Sequence, residues 1–226
     1  MSDKPISLLL HQLGYQGMLG QWQEWQDRPS QQPTVWPHAF EQLLQAEWAH
    51  RQSRALNYRL MLAKLPQSKS FTDFDVVPPL NPQILEHLRQ FKFIDAHQNV
   101  LIIGGSGSGK THLAIALADE AIQKGYRVKF YKFTELVRAL LKAQAHHYEL
   151  NFLASLQRFV LLVVDEFGYL PIEQKAGALL FELFSKLYET NSLILTTHLQ
   201  SPEWGDAFAK SKPPHAMSDR LTHQCH

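Results

Sequence analysis

The chain contains a single cysteine, Cys225, so no intramolecular disulfide is available and a reducing cytosol suits it. No apolar run approaches the roughly 18 residues that a helix needs to cross a bilayer, which excludes a helical membrane span. The opening MSDKPISLLLHQLG lacks a small-residue cleavage site, and no signal peptide is expected there. Strong charge of one sign is also missing. The net charge is +1, so no global basic signal points to nucleic acid, although a local patch stays open. Twelve histidines are scattered without HExxH or paired His/Cys spacing, so no metal-ligand cluster is expected. What remains is an ordinary globular composition, 45% hydrophobic over 226 residues, with room for one sizeable α/β domain and a small appendage.

Two regions follow from the patterning. Residues 1–65 read as an all-helical domain, with PISLLLHQLG and HAFEQLLQAEWAHRQSRALNYRLMLAKL separated by the Pro-punctuated loop DRPSQQPTVWPH. Trp22, Trp25, Trp36 and Trp48 fall in this region and are expected to form its core, with a protein-docking surface as the alternative. From Trp48 to Thr72 no acidic residue occurs, while Arg51, Arg54, Arg59, Lys64 and Lys69 are basic. That window is either a solvated helix face or a contact to a phosphate backbone. The proline-rich stretch LPQSKSFTDFDVVPPLNPQ then leads into residues 66–226. There strands and helices alternate: NVLIIGG, a helix over 110–124 ended by Gly125, YRVKFYKF, a helix that Thr134 would cap, RFVLLVVDE, AGALLFELFSKLYE and SLILTT. Such alternation predicts a parallel sheet flanked by helices.

The chemistry-bearing segment is GGSGSGKT, residues 104–111, which fits GxxxxGK[ST] throughout. Gly105, Gly107 and Gly109 allow the backbone to curl so that its N–H groups, with those of Ser106 and Ser108, face phosphate oxygens. The helix that follows, carrying Lys110, Thr111 and His112, adds its positive end. Lys110 would reach the β- and γ-phosphates, and the Thr111 hydroxyl would ligate Mg²⁺. After four large apolar residues comes Asp165-Glu166. Asp165, at the carboxyl end of a strand, is placed to hold Mg²⁺, and Glu166 to polarise the attacking water. Thr196, Thr197 and His198 should emerge at the same sheet edge, where a polar group could sense the γ-phosphate. Arg220 offers a possible arginine finger. A small-molecule P-loop kinase would need an arginine-rich lid, whereas KFTELVRALLKAQAHHYEL reads as an amphipathic helix. Its Lys132, Arg138 and Lys142 either face DNA or are simply solvated.

The segments GGSGSGKTHLAIAL, VVDEFGYLP, LFELFSKLYETNSLILTTH, PEWGDAF and DRLTH together resemble the IstB-type transposition helper ATPases, AAA+ proteins related to the DnaC helicase loaders and to DnaA. The resemblance covers residues 1–226. It implies an AAA+ P-loop sheet behind a small N-terminal helical domain. It also implies an ATP- and Mg²⁺-dependent oligomer, joined through AAA+ interfaces, that remodels double-stranded DNA and recruits a cognate transposase in a bacterial cytoplasm, at the nucleoid. A DnaC-like loader acting on a replicative helicase and single-stranded DNA is the alternative. Carried over by position, Lys110 and Thr111 bind ATP and Mg²⁺, Asp165 and Glu166 form the Walker B pair, Arg220 acts in trans, and Phe74 borders the adenine pocket. The family's usual Thr-Ser-Asn is replaced here by Thr196-Thr197-His198. The chain also stops at DRLTHQCH, where relatives continue, so a truncated carboxyl end is expected.

Overall fold

The computed structural model describes residues 4–67, 69, 71, 81–168, 173–188 and 190–199. Two compact units emerge, 1–58 and 59–226.

In the first unit, helices α1 (Lys4–Gln12), α2 (Gln16–Asp27) and the amino-terminal part of α3 (Trp36–Ala63) enclose a small core of Met18, Trp25, Ala39 and Leu43. Trp22 packs edge-on against Trp25, with ring centroids 6.3 Å apart. The expectation that all four tryptophans of this region are core holds only for this pair. Trp36 and Trp48 are 69% and 67% exposed, because α3 turns the ridge of Ala39, Leu43 and Glu47 inward and these rings lie off it. Gly17 is required where α2 and α3 meet, since a Cβ there would lie 2.4 Å from the Ala46 carbonyl oxygen. Buried Glu47 accepts hydrogen bonds from the Gly17 and Met18 N–H groups (2.8 and 3.3 Å), closing the first turn of α2 with a negative charge. Burial pushes the Glu47 carboxyl up, but hydrogen bonds from Arg51, Met18 and Gly17 outweigh it and hold the group below its usual value.

The second unit carries four parallel strands, β1 (Val100–Ile103), β2 (Val128–Lys132), β3 (Leu161–Asp165) and β4 (Ser192–Thr197), in the order β1-β4-β3-β2. Between them run α6 (Lys110–Gln123), α7 (Phe133–Ala145), α8 (Glu149–Leu156) and α9 (Gln174–Leu187), preceded by α4 (Pro82–Arg89) and α5 (Lys92–Asp95). This is the parallel, helix-flanked sheet that the alternating pattern predicts. Strand parity sorts its side chains. Leu162, Val164, Leu193 and Leu195 enter one core with Leu136 and Leu140 of α7 and Leu180 and Leu183 of α9. Leu161, Val163, Asp165, Ile194 and Thr196 take the opposite face. One local expectation fails. Thr134 does not cap α7, which begins at Phe133 after Lys132, an extended N-cap whose side chain makes no capping hydrogen bond, so Thr134 lies inside the first turn.

A buried lysine anchors the last turn of α3 within this unit. Lys129, only 7% exposed, donates to the Leu62 carbonyl at 2.7 Å. Burial, with repulsion from Lys64, lowers its pKa from 10.5 to about 8. The charged form is therefore disfavoured by folding. Between pH 8 and 10.5 the unfolded chain keeps a proton that the folded chain has lost, so this group makes stability rise with pH across that window. Thermal unfolding midpoints of wild type and Lys129→Met should diverge in the wild type's favour from about pH 7.5 to about pH 10. A pH-independent difference would overturn the assignment.

Candidate nucleotide-binding and hydrolysis site

The loop between β1 and α6 leaves the sheet at Gly104, whose N–H donates to the Thr197 carbonyl at 3.2 Å. Gly107 and Gly109 adopt left-handed backbone, at φ 76° and 84°, which a side chain would resist. Gly104 is close-packed as well, since a Cβ there would come 2.9 Å from Ser108 Oγ. These constraints curl residues 104–109 over the start of α6, whose amino-terminal turn opens at Lys110 and Thr111. Lys110 Nζ donates to the Gly105 carbonyl at 2.6 Å and lies 3.5 Å from Ser108 Oγ, inside the loop's own concavity. A loop of backbone donors with an ammonium at its centre is complementary to a polyphosphate.

Asp165 faces this loop from the end of β3. It is 1% exposed and accepts hydrogen bonds from the Thr111 hydroxyl at Oδ1 (2.8 Å) and Oδ2 (3.1 Å) and from the Thr196 hydroxyl at Oδ1 (2.5 Å). Sequence parity makes this meeting possible, since Asp165 and Thr196 sit on the α6 side of adjacent strands. The hydroxyl and carboxylate of Thr111 and Asp165 are hard oxygen donors, and Thr111, with its O–H directed at Asp165, keeps lone pairs for a cation. That donor set fits Mg²⁺.

Beyond Asp165 the chain turns sharply. Glu166 is exposed and takes φ 60°, a conformation that costs a non-glycine residue roughly 1 kcal/mol. The end of β4 holds it there. The Glu166 N–H donates to Thr196 Oγ1 (2.9 Å), and the Phe167 N–H donates to the Thr196 carbonyl (2.8 Å). The Thr197 hydroxyl donates to the Phe167 carbonyl (2.8 Å) and accepts from the Leu199 N–H (3.1 Å). Gly168 completes the turn at φ 75°, and a Cβ there would lie 2.7 Å from Leu199 Cδ1. The expected γ-phosphate sensing by a polar end of β4 therefore divides. Thr196 and Thr197 are each 1% exposed and bonded within the turn, while His198 is exposed beyond the strand.

Not every candidate converges here. Phe74 and Arg220 lie outside the described residues. Of the basic candidates, Arg51 is paired with Glu47 (2.6 Å), and Arg59 donates to the Ile122 carbonyl at the end of α6 (3.3 Å). Lys64 takes a left-handed conformation after α3, φ 55°, and Arg54 is exposed. Lys132, opposite Asp165 in the β2–β3 register, and Arg138 and Lys142, one turn apart on α7, are exposed. Sequence reasoning missed the Thr196 contact to Asp165. The available signal was that a polar residue near the end of each of two buried strands, Asp165 and Thr196, falls on the face opposite Leu162 and Val164 in the one and Leu193 and Leu195 in the other.

Residues 8–226 match the model of the family described as IstB-like ATP binding protein. An ATP-binding protein of insertion sequence IS21 from Pseudomonas aeruginosa is 36% identical over 182 residues, covering 80% of this chain and 69% of its own. A counterpart of insertion sequence IS5376 from Geobacillus stearothermophilus is 32% identical over 215 residues, covering 94% and 86%. Among solved structures, the DnaC helicase loader superposes with a TM-score of 0.54 at 20% identity, over 67% of this chain and 92% of that one. AMPPCP-bound DnaA from Aquifex aeolicus gives 0.56 at 19% identity over 68% of this chain, which spans about half, 47%, of that protein. These last two likenesses establish the AAA+ fold alone.

Proposed function

Because the chain belongs to the IstB-like ATP-binding proteins, AAA+ ATPases of insertion sequences, we propose that it is an ATP-driven transposition helper that assembles on double-stranded DNA and recruits its cognate transposase. The observation that carries the ATPase half is the Thr111–Asp165–Thr196 cluster beneath a glycine loop, with Glu166 held outward beside it. In this reading Lys110 and the loop N–H groups bind the β- and γ-phosphates of ATP. Thr111 and Asp165 hold Mg²⁺, which when bound offsets phosphate charge during transfer. Glu166 takes a proton from the attacking water. Arg220 completes the site from a neighbouring subunit, Phe74 borders the adenine, and His198 reports on the γ-phosphate.

The DNA half rests on charge placement. At a net charge of +1 a single copy offers few phosphate contacts. Exposed Lys132, Arg138 and Lys142 of the second unit become an extended basic track only when subunits are arrayed, and exposed Arg54 of the first unit is a separate candidate contact. Oligomerisation through AAA+ interfaces is thus what couples ATP to DNA, and nucleoid association follows from it. The sequence relatives are named for insertion sequences, whereas the helicase-loader likeness is one of fold, which favours this reading over the alternative. Binding to a roughly 50-base-pair duplex should require ATP, weaken steeply with salt, and disappear in Lys110→Ala. Duplex binding that ignores both ATP and Lys110→Ala would sink the assembly proposal.

A further inference from the structure

We propose that Thr196 is a positioning residue for hydrolysis, setting with one hydroxyl both the orientation of the Asp165 carboxylate and the turn that presents Glu166. The inference rests on reading Asp165 as the Mg²⁺ carboxylate. The bond directions are unambiguous. A backbone N–H only donates, so Thr196 Oγ1 accepts from Glu166 at 2.9 Å, and its own proton goes to Asp165 Oδ1 at 2.5 Å. Among the described residues, Oδ1 thereby receives two hydroxyl donors, Thr111 and Thr196, while Oδ2 has only the longer Thr111 contact, 3.1 Å. Thr196 thus fixes which carboxylate oxygen is turned toward the nucleotide. The threonine is itself rigid. It lies in the middle of the sheet order, on β4 between β1 and β3, and is 1% exposed. Its backbone carbonyl also takes the Phe167 N–H at 2.8 Å. Removing the hydroxyl would free the carboxylate to rotate and leave the Glu166 N–H, in its left-handed turn, without that acceptor.

A partner that orients a metal-holding carboxylate typically changes metal affinity or activity by about 10- to 100-fold when removed. The test compares wild type with Thr196→Ser, Thr196→Val and Asp165→Asn in the full chain. Binding of a fluorescent ATP analogue is measured in Mg²⁺ and in EDTA, alongside kcat. Thr196→Val should keep its affinity in EDTA, lose about tenfold of the Mg²⁺-dependent tightening, and lose at least about tenfold in kcat. Thr196→Ser, which keeps the hydroxyl, should restore both to within about threefold of wild type. A merely structural threonine would lower the thermal midpoint and leave the Mg²⁺ increment and the kcat of folded protein unchanged, and that outcome overturns the proposal. If Thr196→Val does not fold, Thr196→Cys, a weaker donor, carries the test, and a wild-type Mg²⁺ increment in it likewise overturns the proposal. Asp165→Asn separates the two layers. If it retains the increment, the underlying reading of Asp165 fails. If it loses the increment while Thr196→Val keeps it, only the role of Thr196 fails.

Discussion

Glu166→Gln is expected to slow ATP turnover by about 10²- to 10⁴-fold while ATP affinity stays within about threefold. The amide is nearly isosteric with the carboxylate but takes no proton from water. Glu166 is exposed, and the turn that presents it is held by its own and the next residue's backbone N–H, Glu166 N–H to the Thr196 hydroxyl and Phe167 N–H to the Thr196 carbonyl, with no use of the Glu166 side chain. The substitution therefore leaves the scaffold alone and removes only the proposed base. With binding intact and hydrolysis blocked, ATP-dependent complexes on duplex DNA should persist far longer than in wild type. Steady-state turnover and equilibrium nucleotide binding, measured on the same preparation, check this. Hydrolysis at the wild-type rate would show that another group activates water.

Lys110→Ala should act one step earlier, weakening ATP binding by about 10²-fold or more. Hydrogen bonds to charged groups contribute about 1.5–3 kcal/mol each, and in the proposed reading this ammonium serves two phosphates. Folding should be little affected. Lys110 is the first residue of α6, where alanine is a good helix former, and among the described residues its side chain bonds only to Gly105 and Ser108 of its own loop. An unchanged unfolding midpoint together with lost nucleotide binding is the expected pair of results. Affinity within about threefold of wild type would move the phosphate-binding role elsewhere.

Much of the candidate site's backbone pattern is legible without coordinates because it is local. Gly107 and Gly109 are needed where φ is positive, Lys110 and Thr111 open the helix, and Asp165 ends an apolar strand, so adjacent residues carry the pattern. The helix caps were less readable. Thr134 looks like a cap, yet Phe133 is buried in the core and the helix starts there, with Lys132 as its cap, two residues before the cap expected. The tryptophans divide for a similar reason, since α3 has one inward ridge and residue type does not say which side faces it.

The basic window from Trp48 to Thr72 shows most plainly where local reading stops. As a string it is uniformly cationic, but Arg51 is paired with Glu47, just outside it, and Arg59 bonds a carbonyl 63 positions away. Lys129, unremarkable in a strand sequence, is buried against the end of α3. By itself, then, the sequence determined the phosphate-binding loop, the acidic pair and the parallel α/β order, because each is written in contiguous residues and in the periods of strand and helix. Only the tertiary structure decided that Thr196 locks Asp165 and the Glu166 turn, because that contact joins two strands 31 residues apart through parallel pairing.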